Sequence, residues 1–295
     1  MILTKKQLDK IVHGTVQSKE DDGLYAYYRF DDALLEYYSK TNSTFYKRAL
    51  HTASIRMEFD TDAEQLAFDY KTQNTVTVGC LDVCVNNVPY LVHHFENAPE
   101  GRFVCTLPVG MKRVTVWFPP YNQLLIGNVD ISGSIKAVHH RTKVLWIGDS
   151  ITQGATVQVE GHMLACGSYV NLVTAANSWD SINQAIGGQT YDRAMVNRHE
   201  GYAPDKIVVS LGTNHAASAY FLERAEEFYA ALDEKYHGIK TLVISPIWRG
   251  KTNPDLDIHE VIFKNNTGIA KMCEKYQNIT IVWFQACSKH PRNIP

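Results

Sequence analysis

With 295 residues, 45% of them hydrophobic and 20% charged, the chain has globular proportions, which excludes a disordered tail protein and a collagen-like or coiled-coil rod. A formal charge of −2, from 29 basic and 31 acidic residues, leaves no excess to draw the chain to nucleic acid or anionic lipid, so neither is expected as a partner. No apolar run approaches the roughly 20 residues that span a bilayer, and Met1 to Gln7 lack the basic-then-apolar order of a signal peptide, so the expectation is a soluble, cytoplasmic protein.

The first element, Lys5-Lys6-Gln7-Leu8-Asp9-Lys10, reads as a frayed or helical start, and residues 25–30 as a strand. From about residue 54 to 131 the apolar residues alternate, which is the strand period. Ile55, Met57 and Phe59 alternate with Arg56 and Glu58; Leu66, Phe68 and Tyr70 alternate with Ala67 and Asp69. Val83 to Tyr90 predicts two strands joined at Asn86-Asn87, a pair that tolerates the positive φ of a tight turn. Val114, Val116 and Phe118 share one face of a strand, and Pro119-Pro120 ends it because neither residue donates to a ladder. Many short strands without helical periodicity predict an antiparallel β-sandwich over residues 1–138.

The charged tetrad His139-His140-Arg141-Thr142 reads as a solvated linker, with a phosphate site as the alternative. Beyond it, apolar runs at 144–147, 182–186, 207–211, 242–247 and 279–284 are each followed by a helical or loop stretch. Leu222, Ala225, Tyr229, Leu232 and Tyr236 recur at helical spacing. Strands alternating with helices predict a second domain, residues 139–295, built on a parallel sheet covered on both faces. Ligands of such sheets sit beyond the carboxyl ends of the strands. The six cysteines (Cys80, Cys84, Cys105, Cys166, Cys273 and Cys287) form no Cys-x-x-Cys pair and no zinc-finger spacing. They read as reduced, buried thiols, and no metal or cofactor is expected.

The first strand end carries Gly148-Asp149-Ser150-Ile151-Thr152-Gln153-Gly154. A glycine lets the backbone turn sharply, and Ser150 then presents its hydroxyl at the sheet edge. Three other readings compete: a helix N-cap serine, a phosphate loop, and the Gly-x-Ser-x-Gly elbow of α/β-hydrolases. Thr152 stands where the elbow needs its second glycine, and no Gly-Lys-Ser/Thr is present. The second run leads to Gly187-Gly188-Gln189-Thr190, and the third to Gly212-Thr213-Asn214-His215. These supply a backbone N–H and a side-chain amide where acyl transfer needs donors for a developing oxyanion.

With those three blocks in order, the chain resembles the SGNH hydrolases, the GDSL-type esterase and lipase superfamily, over about residues 142–284. The resemblance implies a flavodoxin-like three-layer α/β domain with Ser150 as nucleophile and with Gly188 and Asn214 in the oxyanion hole. His215 stands where many members have Asp. An N-terminal sandwich, jelly-roll-like, is similar to two-domain members that remove acyl groups from carbohydrates. The implied function is a metal-free serine esterase for small acyl esters, with acetyl groups on carbohydrate as substrate. The alternative is a catalytically impaired carbohydrate-binding remnant of such an esterase. Nucleotide binding at the sheet edge lacks a phosphate loop.

The family's Asp-x-x-His block, which supplies the general base and the acid that orients it, has no match after the fifth run. His290-Pro291 mimics half of it, but Cys287 holds the place of the acid. The other candidates for the base are His290 and His259; the latter, in Asp255-Leu256-Asp257-Ile258-His259-Glu260, has carboxylates nearby and reads more readily as part of an acidic helix start. The resulting expectation is a chain that ends before the block carrying the base.

Overall fold

Thr4 opens the chain's first helix with a capping box, its backbone N–H donating to Gln7 Oε1 at 2.9 Å. This computed structural model describes residues 1–76, 79–95, 98–155, 158–159, 162–196, 201–247 and 256–283. The short helix α1 (Lys5–Leu8) precedes strands β1 (Val12–His13), β2 (Gln17–Asp21) and β3 (Leu24–Tyr28). Helices α2 (Asp32–Thr41) and α3 (Ser43–Ala49) follow. Next come β4 (Arg56–Thr61), β5 (Gln65–Gln73), β6 (Cys80–Val85), β7 (Val88–His94), β8 (Glu100–Thr106), β9 (Lys112–Trp117), β10 (Gln123–Ile131) and β11 (Lys136–Ala137).

These strands form two antiparallel sheets, ordered β2-β3-β10-β5-β8 and β1-β4-β9-β6-β7, with β11 paired to β4. Alternation explains the packing: Leu66, Phe68, Leu124 and Ile126 of one sheet meet Met57, Phe59, Val83, Val114 and Val116 of the other, all fully buried. The β6–β7 turn sits at Asn86 (φ 52°) and Asn87 (φ 64°), the positive-φ pair the sequence predicts. Cys80, Cys84 and Cys105 are buried, Cys166 is half-buried, and none of them is in a disulfide.

The helix pair α2–α3 is absent from the sequence expectations, although its caps are ordinary. The Asp31 side chain accepts from the Leu34 N–H at 2.8 Å, and Asn42 Oδ1 accepts from Thr44 and Phe45, each at 3.1 Å. The pair buries Leu34, Leu35, Tyr38 and Ala49 against Phe30 and against Ile186 of the second domain.

That second domain runs through β12 (Lys143–Gly148), α4 (Ser150–Gln153), a ribbon of β13 (Gln158–Val159) and β14 (His162–Met163), and α5 (Tyr169–Asn177). It continues with β15 (Asp180–Asn183), β16 (Lys206–Ser210), α6 (Phe221–Lys235), β17 (Lys240–Ile244), α7 (Leu256–Cys273) and β18 (Ile279–Val282). All five core strands are parallel, in the order β15-β12-β16-β17-β18. This is the flavodoxin-like 2-1-3-4-5 winding, whose order reverses beside the first strand. Val144, Trp146 and Val208 pack with α5 on one face; Leu145, Ile147, Ile207 and Val209 pack with α6 and α7 on the other.

Residues 139–142 are not a simple solvated linker. The His140 side chain is 2% exposed. Its Nδ1 hydrogen-bonds the Ser178 carbonyl at 2.9 Å, and its Nε2 lies 2.9 Å from Glu58 Oε2. Arg56 Nε donates to the same carboxylate oxygen at 2.8 Å, and its Nη2 donates to the Trp179 carbonyl at 2.9 Å. The polar face of β4, which alternation alone assigns to solvent, is therefore buried at the junction between the domains. His13, Glu58 and His140 come close enough to suggest a metal site, but the Arg56 guanidinium already supplies the cation there. Burial opposes ionisation of Glu58, yet hydrogen bonding to His140 and the charge of Arg56 hold its pKa down at about 2.

Candidate active site

β12 is the central strand on which the site is built. It is buried on both faces, and its neighbours β15 and β16 pair with it on either side, Trp146 opposite Asn183 and Gly148 opposite Ser210. A Cβ on Gly148 would stand 2.3 Å from Thr152 Oγ1, so only glycine lets α4 fold back on the strand end. The cap of α4 is Asp149, whose Oδ1 accepts from the Ile151 N–H at 3.0 Å. Ser150 is thus the first helical residue rather than the cap, which removes the N-cap reading. Gly154, at φ 115°, ends the helix after one turn. The Ser150 side chain is half-buried and makes no hydrogen bond among the described residues.

β15 is shorter than its apolar run because Asn183 turns the chain. Its Nδ2 donates to Thr152 O at 2.8 Å and Ser54 Oγ at 3.0 Å, while Oδ1 accepts from the Ala185 N–H at 3.0 Å. The loop then reaches Gly187, whose N–H donates to Gln153 Oε1 at 2.7 Å. Gly188 sits at φ 86°, where an L side chain is strained, and an added Cβ would lie 3.1 Å from Arg48 Nη1. Its N–H makes no hydrogen bond among the described residues.

β16 ends at Ser210, and two residues further on Gly212 sits at φ 113°, where a Cβ would stand 2.6 Å from Pro246 Cγ. Asn214 follows, exposed, and its Nδ2 donates to Gln189 O at 3.0 Å. That bond uses one of the two amide N–H groups and brings the Asn214 side chain beside the residue after Gly188. Ser150, Gly188 and Asn214 therefore leave the carboxyl ends of three adjacent strands, with the serine's strand in the middle.

The sandwich domain reaches into this region. Tyr121 Oη donates to the Ser150 carbonyl at 3.4 Å. Gln153 Nε2 donates to Pro120 O at 2.8 Å and to His51 Nδ1 at 3.1 Å, and His51 Nε2 donates to Asn74 O at 2.8 Å. Arg48 Nη1 donates to the Gly187 carbonyl. The sequence alone assigns no role at the site to Arg48, His51, Tyr121 or Gln153. Gln153 stands inside the serine block, but nothing in the Tyr46-Lys47-Arg48 run marks its distant partner.

His215 is not beside these groups in the same way. Its ring packs on Tyr191 and Phe221, with centroids 5.8 and 5.1 Å away. Neither ring nitrogen has a hydrogen-bond partner among the described residues, and burial lowers its pKa to about 4. His259 falls in α7 with its side chain outside the described residues, and His290 and Cys287 lie outside them altogether.

A three-layer parallel sheet with serine, glycine and amide groups at three adjacent strand ends defines the SGNH hydrolase fold. The model of the GDSL-like lipase/acylhydrolase family matches residues 146–295, and the chain belongs to that family. Among solved structures it is similar to the salicylyl-acyltransferase SsfX3 from a tetracycline biosynthetic pathway, with 16% identity and a TM-score of 0.76 over 92% of this chain and 81% of that one. It is also similar to a family two carbohydrate esterase from Clostridium thermocellum in complex with cellohexaose, with 16% identity and a TM-score of 0.61 over 81% of this chain and 85% of that one. An acetyl xylan esterase from Butyrivibrio proteoclasticus aligns over 78% of this chain and 81% of its own, with 15% identity and a TM-score of 0.55. No curated protein matches the sequence.

Burial at the site and the junction has a consequence in acid. It lowers the pKa of His51 from 6.5 to about 4 and that of His13 from 6.5 to about 3. The folded chain keeps both rings neutral, whereas the unfolded chain protonates them below about pH 6.5. Stability is thus complete above that pH and falls as the pH drops toward the folded values, by up to about 1.4 kcal/mol per pH unit for each ring. Thermal unfolding between pH 7.5 and 4.5 should show Tm falling steadily below pH 6.5. His51→Gln should flatten that fall, and an unchanged slope in this variant would contradict the assignment.

Proposed function

We propose that this protein is a serine esterase that hydrolyses small acyl esters, with acetyl groups on carbohydrate as its substrate. The observation that carries the reading is the placement of Ser150, Gly188 and Asn214 at three adjacent strand ends, with the two loops beside Ser150 bonded through Gln153 and Gln189. Ser150 Oγ attacks the ester carbonyl and the alcohol leaves, giving an acyl-enzyme that water then cleaves to acid and free serine. The N–H groups of Ser150 and Gly188 and the Asn214 amide hold the oxyanion in both steps. No imidazole is bonded to Ser150 Oγ among the described residues. The carbohydrate esterases among the structural neighbours support the choice of alcohol.

Asn214→Ala tests the oxyanion reading. The variant should lose about 10²–10³-fold in kcat on an aryl acetate, the usual effect of deleting one such donor. Its Tm should hardly move, because the side chain is exposed. A full kcat with a collapsed Tm would make Asn214 structural instead.

The second reading is a carbohydrate-binding protein without turnover. It draws on a cavity of about 460 Å³ on the sandwich, lined among others by Tyr28, Tyr46, Gln73, Asn74 and Gln123. Heat of binding with an acetylated oligosaccharide, and no acetate released, would favour that reading over the first.

A further inference from the structure

The carbonyl of Gly187 and the N–H of Gly188 belong to one peptide unit. Every peptide bond among the described residues is trans, so these two groups point in opposite directions. Whatever grips the carbonyl also aims the N–H. Arg48 Nη1 donates to that carbonyl, from a helix of the sandwich domain 139 residues earlier in the chain. The neighbouring N–H, that of Gly187, is anchored separately to Gln153 Oε1 at 2.7 Å.

Arg48 is itself held in place. Arg29 Nη2 donates to the Arg48 carbonyl at 2.9 Å, fixing this part of α3 against the loop. Phe45, one helical turn earlier, would lie 3.6 Å from a Cβ on Gly188. The Arg48 Nε is buried and has no hydrogen-bond partner among the described residues. Two successive glycines resist peptide rotation poorly, since neither has a Cβ to restrict it. A charged donor on the carbonyl supplies the missing restraint. Such a bond is about twice as strong as a neutral one, and it polarises the peptide so that its N–H becomes a better donor.

We propose that Arg48 is a positioning residue of the oxyanion hole, holding and polarising the Gly187–Gly188 peptide so that the Gly188 N–H meets the developing charge. The proposal rests on the reading of Gly188 as an oxyanion donor. It gives the sandwich domain a part in the chemistry, because the cation that sets the peptide comes from that domain.

The test compares the parent chain with Arg48→Ala, Arg48→Gln and Arg48→Lys on an aryl ester and on its thiono analogue. Sulfur accepts hydrogen bonds weakly, so the oxo-to-thiono rate ratio reports how well the hole engages oxygen. Arg48→Ala should lower kcat on the oxo ester by about 10–100-fold, less than outright loss of a donor. KM should stay nearly constant, and the oxo-to-thiono ratio should shrink. Arg48→Lys should recover much of kcat because it restores a charged donor, and Arg48→Gln should recover less. Ethylguanidinium added to Arg48→Ala should raise its rate. An unchanged kcat and oxo-to-thiono ratio in both Arg48→Ala and Arg48→Lys would overturn the proposal, whatever happens to Tm. Ser150→Ala separates the two levels of the argument. If that variant is inactive while the Arg48 variants keep full kcat, only the role of Arg48 is lost; if it keeps its activity, the esterase reading fails first.

Discussion

If Ser150 is the nucleophile proposed above, Ser150→Ala should lower kcat for hydrolysis of an aryl acetate by about 10³-fold or more, because a covalent route that loses its nucleophile keeps only the contribution of binding and the oxyanion donors. The fold should be untouched. Ser150 does not cap α4, since Asp149 does, and its hydroxyl makes no hydrogen bond among the described residues. Circular dichroism and Tm of the variant should therefore match the parent within about 0.5 kcal/mol of stability, the range of an uncoupled substitution. Such a separation of rate from stability is hard to obtain from a serine with a structural task.

The largest effect on stability is expected at Arg29. This side chain is fully buried, and its guanidinium donates to four backbone carbonyls: His51 at 2.7 Å, Ala185 at 2.9 Å, Arg48 at 2.9 Å, and Asn183. Burial lowers its pKa to about 9, which leaves it charged at neutral pH. Two of the carbonyls belong to the sandwich domain, one to the last residue of β15 and one to the loop that leads from it to Gly187. Arg29→Met removes every one of these bonds and strands acceptors away from water, at a cost of about 4 kcal/mol or more. For a chain of this size that corresponds to a fall in Tm of roughly 10 °C. Lysine should not rescue it, since one ammonium cannot reproduce the planar fork that spans four acceptors. A Tm for Arg29→Met within about 2 °C of the parent would contradict this account of the junction.

Much of this architecture is legible in the sequence because period and position coincide. Alternation at Met57 and Phe59, or at Leu66 and Phe68, places those side chains in the sandwich core where they are found. The parallel domain is equally clear, since its five apolar runs, separated by helical or loop stretches, mark the five parallel strands. What the sequence conceals is long-range polar structure. Glu58 and Arg56 look like the wet face of a strand until His140 and the Trp179 carbonyl close over them. Leu34, Leu35 and Tyr38 behind Asp31 carry a usable helix signal, so α2 was within reach. Arg48 was not, because its meaning lies in the Gly187 carbonyl, and no local pattern in α3 points there. The second apolar run overshoots β15 for a related reason: the Asn183 side chain bonds to Thr152 and Ala185 and takes the chain out of the strand before Ile186.

In the proposed mechanism Ser150 carries the acyl group between two steps. The direct measurement is to mix the protein with an aryl acetate, quench in acid within the first turnovers, digest, and locate the acetyl group by peptide mass spectrometry. A single acetyl group is expected on the peptide that contains Ser150, present in the parent and absent from Ser150→Ala, and longer-lived where water is scarce. Turnover by the parent with the label on another residue, or the same labelling in Ser150→Ala, would contradict it.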